Sequence, residues 1–287
     1  MLRSSAAALL CACFLTSCGG SKKPIVVGSK DEAEQILLGE IVAQHLEHRL
    51  GRKIERRSGL GGTAVLYQAL ISGEVGIYPE YTGLIESEIL KEPANPDPQI
   101  LLTRVRSQMD MSQITVLDPL GFDSPPVLVV SAADSEKLAN LSDAARGNRR
   151  WRPGWSYDFQ SRSDGLSALA PYHLSFDPPR ILQARQLFSA LEKGDVDLIA
   201  LRATDGHLTS PDWKVLADDQ KVFPSYQACL LARKDLLAAE PALRPALAEL
   251  SGKFQADTMR KLNAEVDLEH RPVAAVAADF LRQAGLR

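Results

Sequence analysis

Cysteine is scarce in this 287-residue chain and poorly placed for cross-linking. Cys11, Cys13 and Cys18 crowd the amino terminus, and Cys229 stands alone inside the apolar stretch "YQACLLAR", where a buried, inert thiol is expected. No disulfide framework is available. Charge of one sign is also lacking: 33 basic and 36 acidic residues are interspersed, leaving a net charge of −3 and no basic tract for nucleic acid. Beyond the amino terminus no apolar run is long enough to span a bilayer. His45 and His48 share a helix face without a third ligand in view, so no metal site is expected. Neither Gly-x-Ser-x-Gly nor His-Glu-x-x-His occurs, which removes two common hydrolase signatures. Aromatics make up only 6% of the chain, so a stretch that spends two tyrosines in six residues, "YPEYTG" at 78–83, stands out. Phenol faces hold organic cations and phenol hydroxyls hold polar ligands.

The first residues have the form of an export signal. Arg3 precedes an apolar run from Ala6 to Leu15, too short for a membrane span. It ends in Leu15-Thr16-Ser17-Cys18, which resembles the lipobox of bacterial lipoproteins, where the cysteine is lipidated and becomes the first residue. The expectation is a signal peptide over 1–17, lipid on Cys18, a Gly/Ser-opened tether over 18–24, and a protein held on the extracytoplasmic, periplasmic side of a membrane.

From Ile25 onward short buried strands alternate with amphipathic helices. "IVVG", "KIERRS" and "EVGIYP" predict strands; "DEAEQILLGEIVAQHLEHRL" and "GGTAVLYQALISG" predict helices. Asp31 and Glu32 suit the first helix's positive end, and Gly51 suits its close. This alternation predicts an α/β fold with mainly parallel sheets. Pro/Gly-rich residues 119–126 and the polar stretch "LADDQKVFPSYQ" each predict a crossing between lobes. The expected layout is one lobe from 25–118 and 222–287 and a second from 119–221. Ser29 and Lys30, Gly61 to Thr63, and Tyr78 to Thr82 follow successive strands, so their loops are expected to converge on one rim, as ligand sites do in open α/β sheets.

"VGSKDEAEQILLGEI", "GLGGTAVLYQAL", "YPEYTG", "RSDG", "ATDGHL" and "DDQKVFPSY" occur in that order. Together they resemble the substrate-binding proteins of osmoprotectant ABC importers, the glycine betaine/choline/carnitine group. The resemblance implies a two-lobed clamshell of the type II periplasmic binding-protein fold, closing on a small solute and delivering it to a membrane permease. It implies no cofactor, no catalysis, no nucleic acid and a monomer. In that family a box of tyrosines holds a quaternary ammonium while basic residues hold the carboxylate. Carried over, Tyr81 and Tyr226 match box positions, Arg162 matches the carboxylate-binding arginine, and Lys30 matches a second basic contact. Ser29, Gln35, Gly62, Thr63, Tyr78, Thr82, Arg202, Thr204 and Asp205 complete the candidate ligand-binding set.

The sequence departs from the family pattern at several points. Leu84 stands where a threonine is usual, Arg202 and Pro126 where box rings are expected, and Glu32 and Ala33 where an aromatic and a threonine are common. An added guanidinium opposes a quaternary ammonium, so Lys30, Arg162 and Arg202 together predict a more anionic or strongly zwitterionic solute. Trp151 and Trp155 are candidate replacement faces. Asp158, Asp164 and Asp205 are candidate partners for Arg202. Two other readings use the same scaffold: a ligand-sensing receptor domain, or a small-molecule enzyme with His173 or His207 as base.

Overall fold

A computed structural model describes residues 24–135, 138–146 and 149–287. The expected signal peptide and Cys18 lie outside them. Helix α1 (Ala33–Leu50) forms where the 3.6-residue pattern predicts it. Gly51 ends it at φ 62°, donating its N–H to the Glu47 carbonyl. Its apolar stripe, Leu37, Leu38, Ile41, Val42 and Leu46, is fully buried in a core shared with Val276, Phe280 and Leu281 of the last helix. Helix α2 (Thr63–Ser72) starts after Gly62 and stops at Gly73.

The strands run in chain order as β1 (Val26–Gly28), β2 (Glu55–Arg57), β3 (Ile77–Tyr81) and β4 (Ile114–Val116). Next come β5 (Pro126–Ser131), β6 (Arg150–Trp151), β7 (Pro153–Trp155), β8 (Ser175–Phe176), β9 (Arg180–Ile181), β10 (Leu198–Arg202) and β11 (Trp213–Leu216). The chain then returns on β12 (Ala228–Arg233). One five-stranded sheet has the order β2-β1-β3-β12-β4 and a second the order β11-β5-β10-β7-β9; β6 and β8 form a small pair. The strands separated by helices, β1, β2 and β3, pair parallel as the alternation predicts. Both sheets are nevertheless mixed. Strand β12 comes straight from the other sheet and enters antiparallel between β3 and β4, and β5 pairs antiparallel with β10 and β11.

Residues 117–125 and 217–227 therefore carry the chain between the sheets. The two passages meet in an antiparallel bridge, Asp123 to Gln227. Asp123 fastens that bridge: its carboxylate accepts from the Ser225 hydroxyl at 2.8 Å and the Tyr226 amide at 2.6 Å.

"YPEYTG" is not a turn. Tyr78 to Tyr81 are four of the five residues of β3, the central strand of the first sheet, and every residue of β3 is buried. Trp151 and Trp155 are 1% exposed and sit in the core of the second lobe, Trp155 against Phe159 and Phe176 at 5.1 and 5.6 Å between ring centroids. They are packing residues and supply no replacement face. Cys229 is buried on β12, and burial pushes its thiol far above the ordinary range.

Candidate functional site

Strand ends from both sheets and the returning passage meet between the lobes. Tyr81 closes β3, Arg202 closes β10, and Tyr226 lies just before β12. The arginine's Cζ stands 5.0 Å from the Tyr81 ring centroid and 4.9 Å from that of Tyr226. The two matched box tyrosines thus face each other across a guanidinium that belongs to the protein. Arg202 and Pro126, the two positions that depart from the box, are direct cross-strand partners. Gly83 fits this packing: a Cβ there would lie 3.0 Å from the Tyr226 ring and 2.9 Å from the Ser225 carbonyl, so the turn after Tyr81 has to be bare.

The other two cations are already paired. Lys30, 2% exposed at the end of β1, reaches Glu80 on β3 at 2.7 Å and the Thr63 hydroxyl at 3.4 Å. Arg162 grips Asp164 through two parallel contacts of 2.8 and 2.7 Å. It also donates to the Tyr226 hydroxyl, which donates in turn to Asp164. Glu88, on a π-helical turn over Ile85–Ile89, lies 3.7 Å from Arg162. Burial would raise the Asp164 carboxyl, but Arg162 and the Tyr226 hydroxyl hold it below its ordinary value.

Three carboxylates remain. Burial pushes Glu34 above the usual range, against hydrogen bonding from Thr204, Tyr81 and Asn263, Asn263 at 2.5 Å.

 

Glu32 reaches solvent at the mouth of the cleft, yet protein walls it on several sides. That enclosure would raise its carboxyl, but Arg202, Lys30 and Arg162 outweigh it and hold the group below its ordinary value. Glu88 is raised by burial, against the pull of Arg162. The hydroxyls of Tyr81 and Tyr226 are pushed well up by burial and stay neutral.

Several sequence candidates hold the frame instead of facing the cleft. Tyr78 is fully buried in the core cluster with Leu66, Leu70 and Cys229, because alternate residues of β3 point to opposite faces. Thr82 donates to the Ser225 carbonyl at 3.2 Å and accepts from the Gln227 amide at 3.1 Å, bracing the return passage. Thr204 pairs with the Ser124 hydroxyl at 2.6 Å. Asp205 caps a short turn by accepting from the His207 amide at 3.0 Å, and it also touches the His207 ring. Ser29 is buried and accepts from the Gly59 amide, and Gly62 precedes α2; Gln35, buried in the first turn of α1, makes no such contact, its side-chain amide having no hydrogen-bond partner among the described residues. Arg202 is faced by Glu32 and Glu34; Asp164 and Asp205 are committed elsewhere.

Sequence reasoning missed Asn263. It joins the lobes by donating to Glu34 and, at 2.8 Å, to the Thr204 carbonyl. Arg260, one turn earlier on the same helix, donates to the Ala203 carbonyl at 2.8 Å. Nothing local marks these residues; they matter because the helix Ala256–Asp267 lies against the turn after β10. His45 is buried with its ring on the Ala246 carbonyl at 2.8 Å, and no cluster of metal-binding side chains occurs among the described residues.

Two mixed sheets, two passages between them and a polar, aromatic cleft at the strand ends define a type II periplasmic binding-protein fold. A solved structure described as a glycine betaine/carnitine/choline ABC transporter superposes with a TM-score of 0.82 at 27% identity, covering 91% of this chain and 99% of that one. The carnitine transport binding protein OpuCC of Listeria monocytogenes is 30% identical, over 94% of this chain and 92% of that protein. The ergothioneine transport permease/ergothioneine binding protein EgtU of Helicobacter pylori (strain G27) is 32% identical over 92% of this chain. This chain spans about half of that relative's length, 48%. Residues 23–283 match the family model of the substrate binding domain of ABC-type glycine betaine transport systems, and the chain belongs to that family.

Proposed function

We propose that this protein is the extracytoplasmic solute-binding component of an ABC importer. It captures a small zwitterionic solute between its lobes, over 25–118 with 222–287 and over 119–221, and hands it to a membrane permease. The observation that carries this reading is the meeting of Tyr81, Tyr226, Arg162 and Arg202 between two lobes joined by two passages. Closure about such passages turns binding energy into a shape that a permease can sense. The site residues we assign to solute contact are Arg162, Arg202, Tyr81 and Tyr226, with Glu32 and Glu88 at its rim. Lys30 is assigned a supporting part, since Glu80 neutralises it.

The expected anionic preference is revised. Lys30 is spent on Glu80 and Arg162 on Asp164, with Glu88 3.7 Å from Arg162, which leaves Arg202 facing Glu32 and Glu34. A cleft so charged favours a solute that brings a cation of its own. We assign binding without turnover, the role of the transport binding domains whose family model the chain matches. We place the protein outside the cytoplasm as a monomer, tethered by lipid on Cys18; no helix among the described residues is long and apolar enough to cross a membrane.

A thermal-shift screen tests the reading, using glycine betaine, choline, carnitine, ergothioneine, amino acids and organic acids. A true solute at a hundredfold excess over its dissociation constant adds about 2.7 kcal/mol, a rise in melting temperature of roughly 5–10 °C for a chain of this size. No shift with any member of the panel overturns it.

A further inference from the structure

The guanidinium between Tyr81 and Tyr226 fills the space that a solute's own cation would need. We propose that Arg202 is the specificity-determining residue of the cleft, selecting a zwitterion whose carboxylate binds Arg202 and whose cation donates N–H hydrogen bonds to Glu32 and Glu88. This rests on the solute-binding reading above and names the class of solute: a primary ammonium or protonated heterocycle, not a permethylated nitrogen.

Three observations support it. First, the ring pair already has its cation, with Cζ at 5.0 and 4.9 Å from the two centroids. A trimethylammonium group entering the same space would meet a like charge where it needs a negative ring face. Second, a guanidinium carries five N–H donors, and the hydrogen bond Arg202 makes among the described residues is one of 3.3 Å to the Ser124 carbonyl. Contact with two ring faces takes up none of its N–H groups in hydrogen bonds to the rings, which leaves donors for a carboxylate, and a guanidinium fork suits bidentate recognition.

Third, the remaining charge is negative. With Lys30–Glu80 and Arg162–Asp164 set aside as pairs, Arg202 faces Glu32 and Glu34, and Glu88 lies 3.7 Å from Arg162. Glu34 is engaged by Tyr81 and Asn263, which leaves Glu32 and Glu88 to receive the solute's cation. A carboxylate desolvated by lobe closure needs a donor. An ammonium provides one; a trimethylammonium presents methyl groups only.

Calorimetry on matched pairs tests the proposal: glycine against glycine betaine, and 4-aminobutyrate against its N-trimethyl counterpart. The unmodified protein should bind the ammonium member of at least one pair about tenfold or more tighter. Arg202→Ala, which frees the ring pair, should raise affinity for the trimethyl member about tenfold and lower it for the ammonium member. Glu32→Gln should weaken only the ammonium member. Arg202→Gln, which keeps most of the side-chain bulk, guards against a folding defect, and the wild-type comparison needs no variant. Equal or tighter trimethyl binding by the wild type, unaffected by Arg202→Ala, overturns the proposal while leaving the solute-binding reading intact. Binding of none of the four compounds overturns it too, and if the wider panel is also silent the solute-binding reading fails with it.

Discussion

Lys30→Met isolates the part played by the buried pair under the cleft. Lys30, two residues past β1, and Glu80, on the neighbouring β3, are 2% and 0% exposed, with 2.7 Å between Nζ and Oε1. The same oxygen accepts from the Tyr81 amide at 2.9 Å. Methionine keeps most of the lysine's length and removes its charge, leaving Glu80 enclosed without its cation. Removing one partner of a buried pair costs about 3–5 kcal/mol, because the surviving charge stays desolvated. For a chain of this size that lowers the melting temperature by roughly 10 °C. Lys30→Met/Glu80→Leu removes both charges and should return to within about 1–2 kcal/mol of wild type, since an apolar replacement avoids both desolvation penalties. Equilibrium urea unfolding of the four proteins of the cycle, read at constant m-value, measures the coupling. A single variant that costs less than about 1 kcal/mol, or a double variant as unstable as the sum of its singles, refutes the reasoning. Lys30 would then be free to serve the solute.

The remaining predictions concern Asp164, Arg162, Gly206 and Cys18. The Asp164 carboxyl titrates below its ordinary 3.8 in the folded protein, so its contribution is present above that value and is lost as pH falls through the folded value. Asp164→Asn should lower stability at pH 7 and flatten the acid limb below about pH 4 in thermal melts; parallel pH curves would contradict it. Arg162→Ala should also destabilise the fold by about 3 kcal/mol or more, because it strands a carboxylate that is 2% exposed. A Cβ at Gly206 would come within 2.6 Å of the Ala264 backbone nitrogen on the facing helix, so Gly206→Ala should hold the lobes apart and cost about tenfold in solute affinity by calorimetry. Cys18→Ser should release the protein from membranes or block its processing, and unchanged fractionation would end the lipoprotein reading.

Local signals carried much of the fold. The stripe in α1, the glycine that ends it and the alternation over 25–81 are written in periodicity and in turn chemistry, both of which act within a few residues. The end of β3 was less legible. Pro79 and the Thr82-Gly83 pair look like punctuation, but β12 pairs along the whole of Ile77–Tyr81, and that partner lies about 150 residues away in the chain. Burial of Trp151 and Trp155 likewise depends on which side of the second sheet is covered, which two arginines flanking Trp151 disguise.

The site shows the same division more sharply. Motif order located Arg162, Tyr81 and Tyr226, and the departure at position 202 marked the arginine that stands between the two rings. The sequence did not show which cations were already neutralised. Lys30 meets Glu80 across 50 positions, whereas Asp164, only two residues from Arg162, sat in view as a possible partner for a different arginine. A count of basic residues therefore pointed to an anionic solute. Pairing removes two of those charges from the balance and exposes three carboxylates, Glu32, Glu34 and Glu88, none of which lay in the candidate set. Selectivity in such a cleft follows from the charges left after internal pairing, because a neutralised cation still offers geometry but little net attraction. That is why the sign of the preferred solute group turns on two ion pairs internal to the protein.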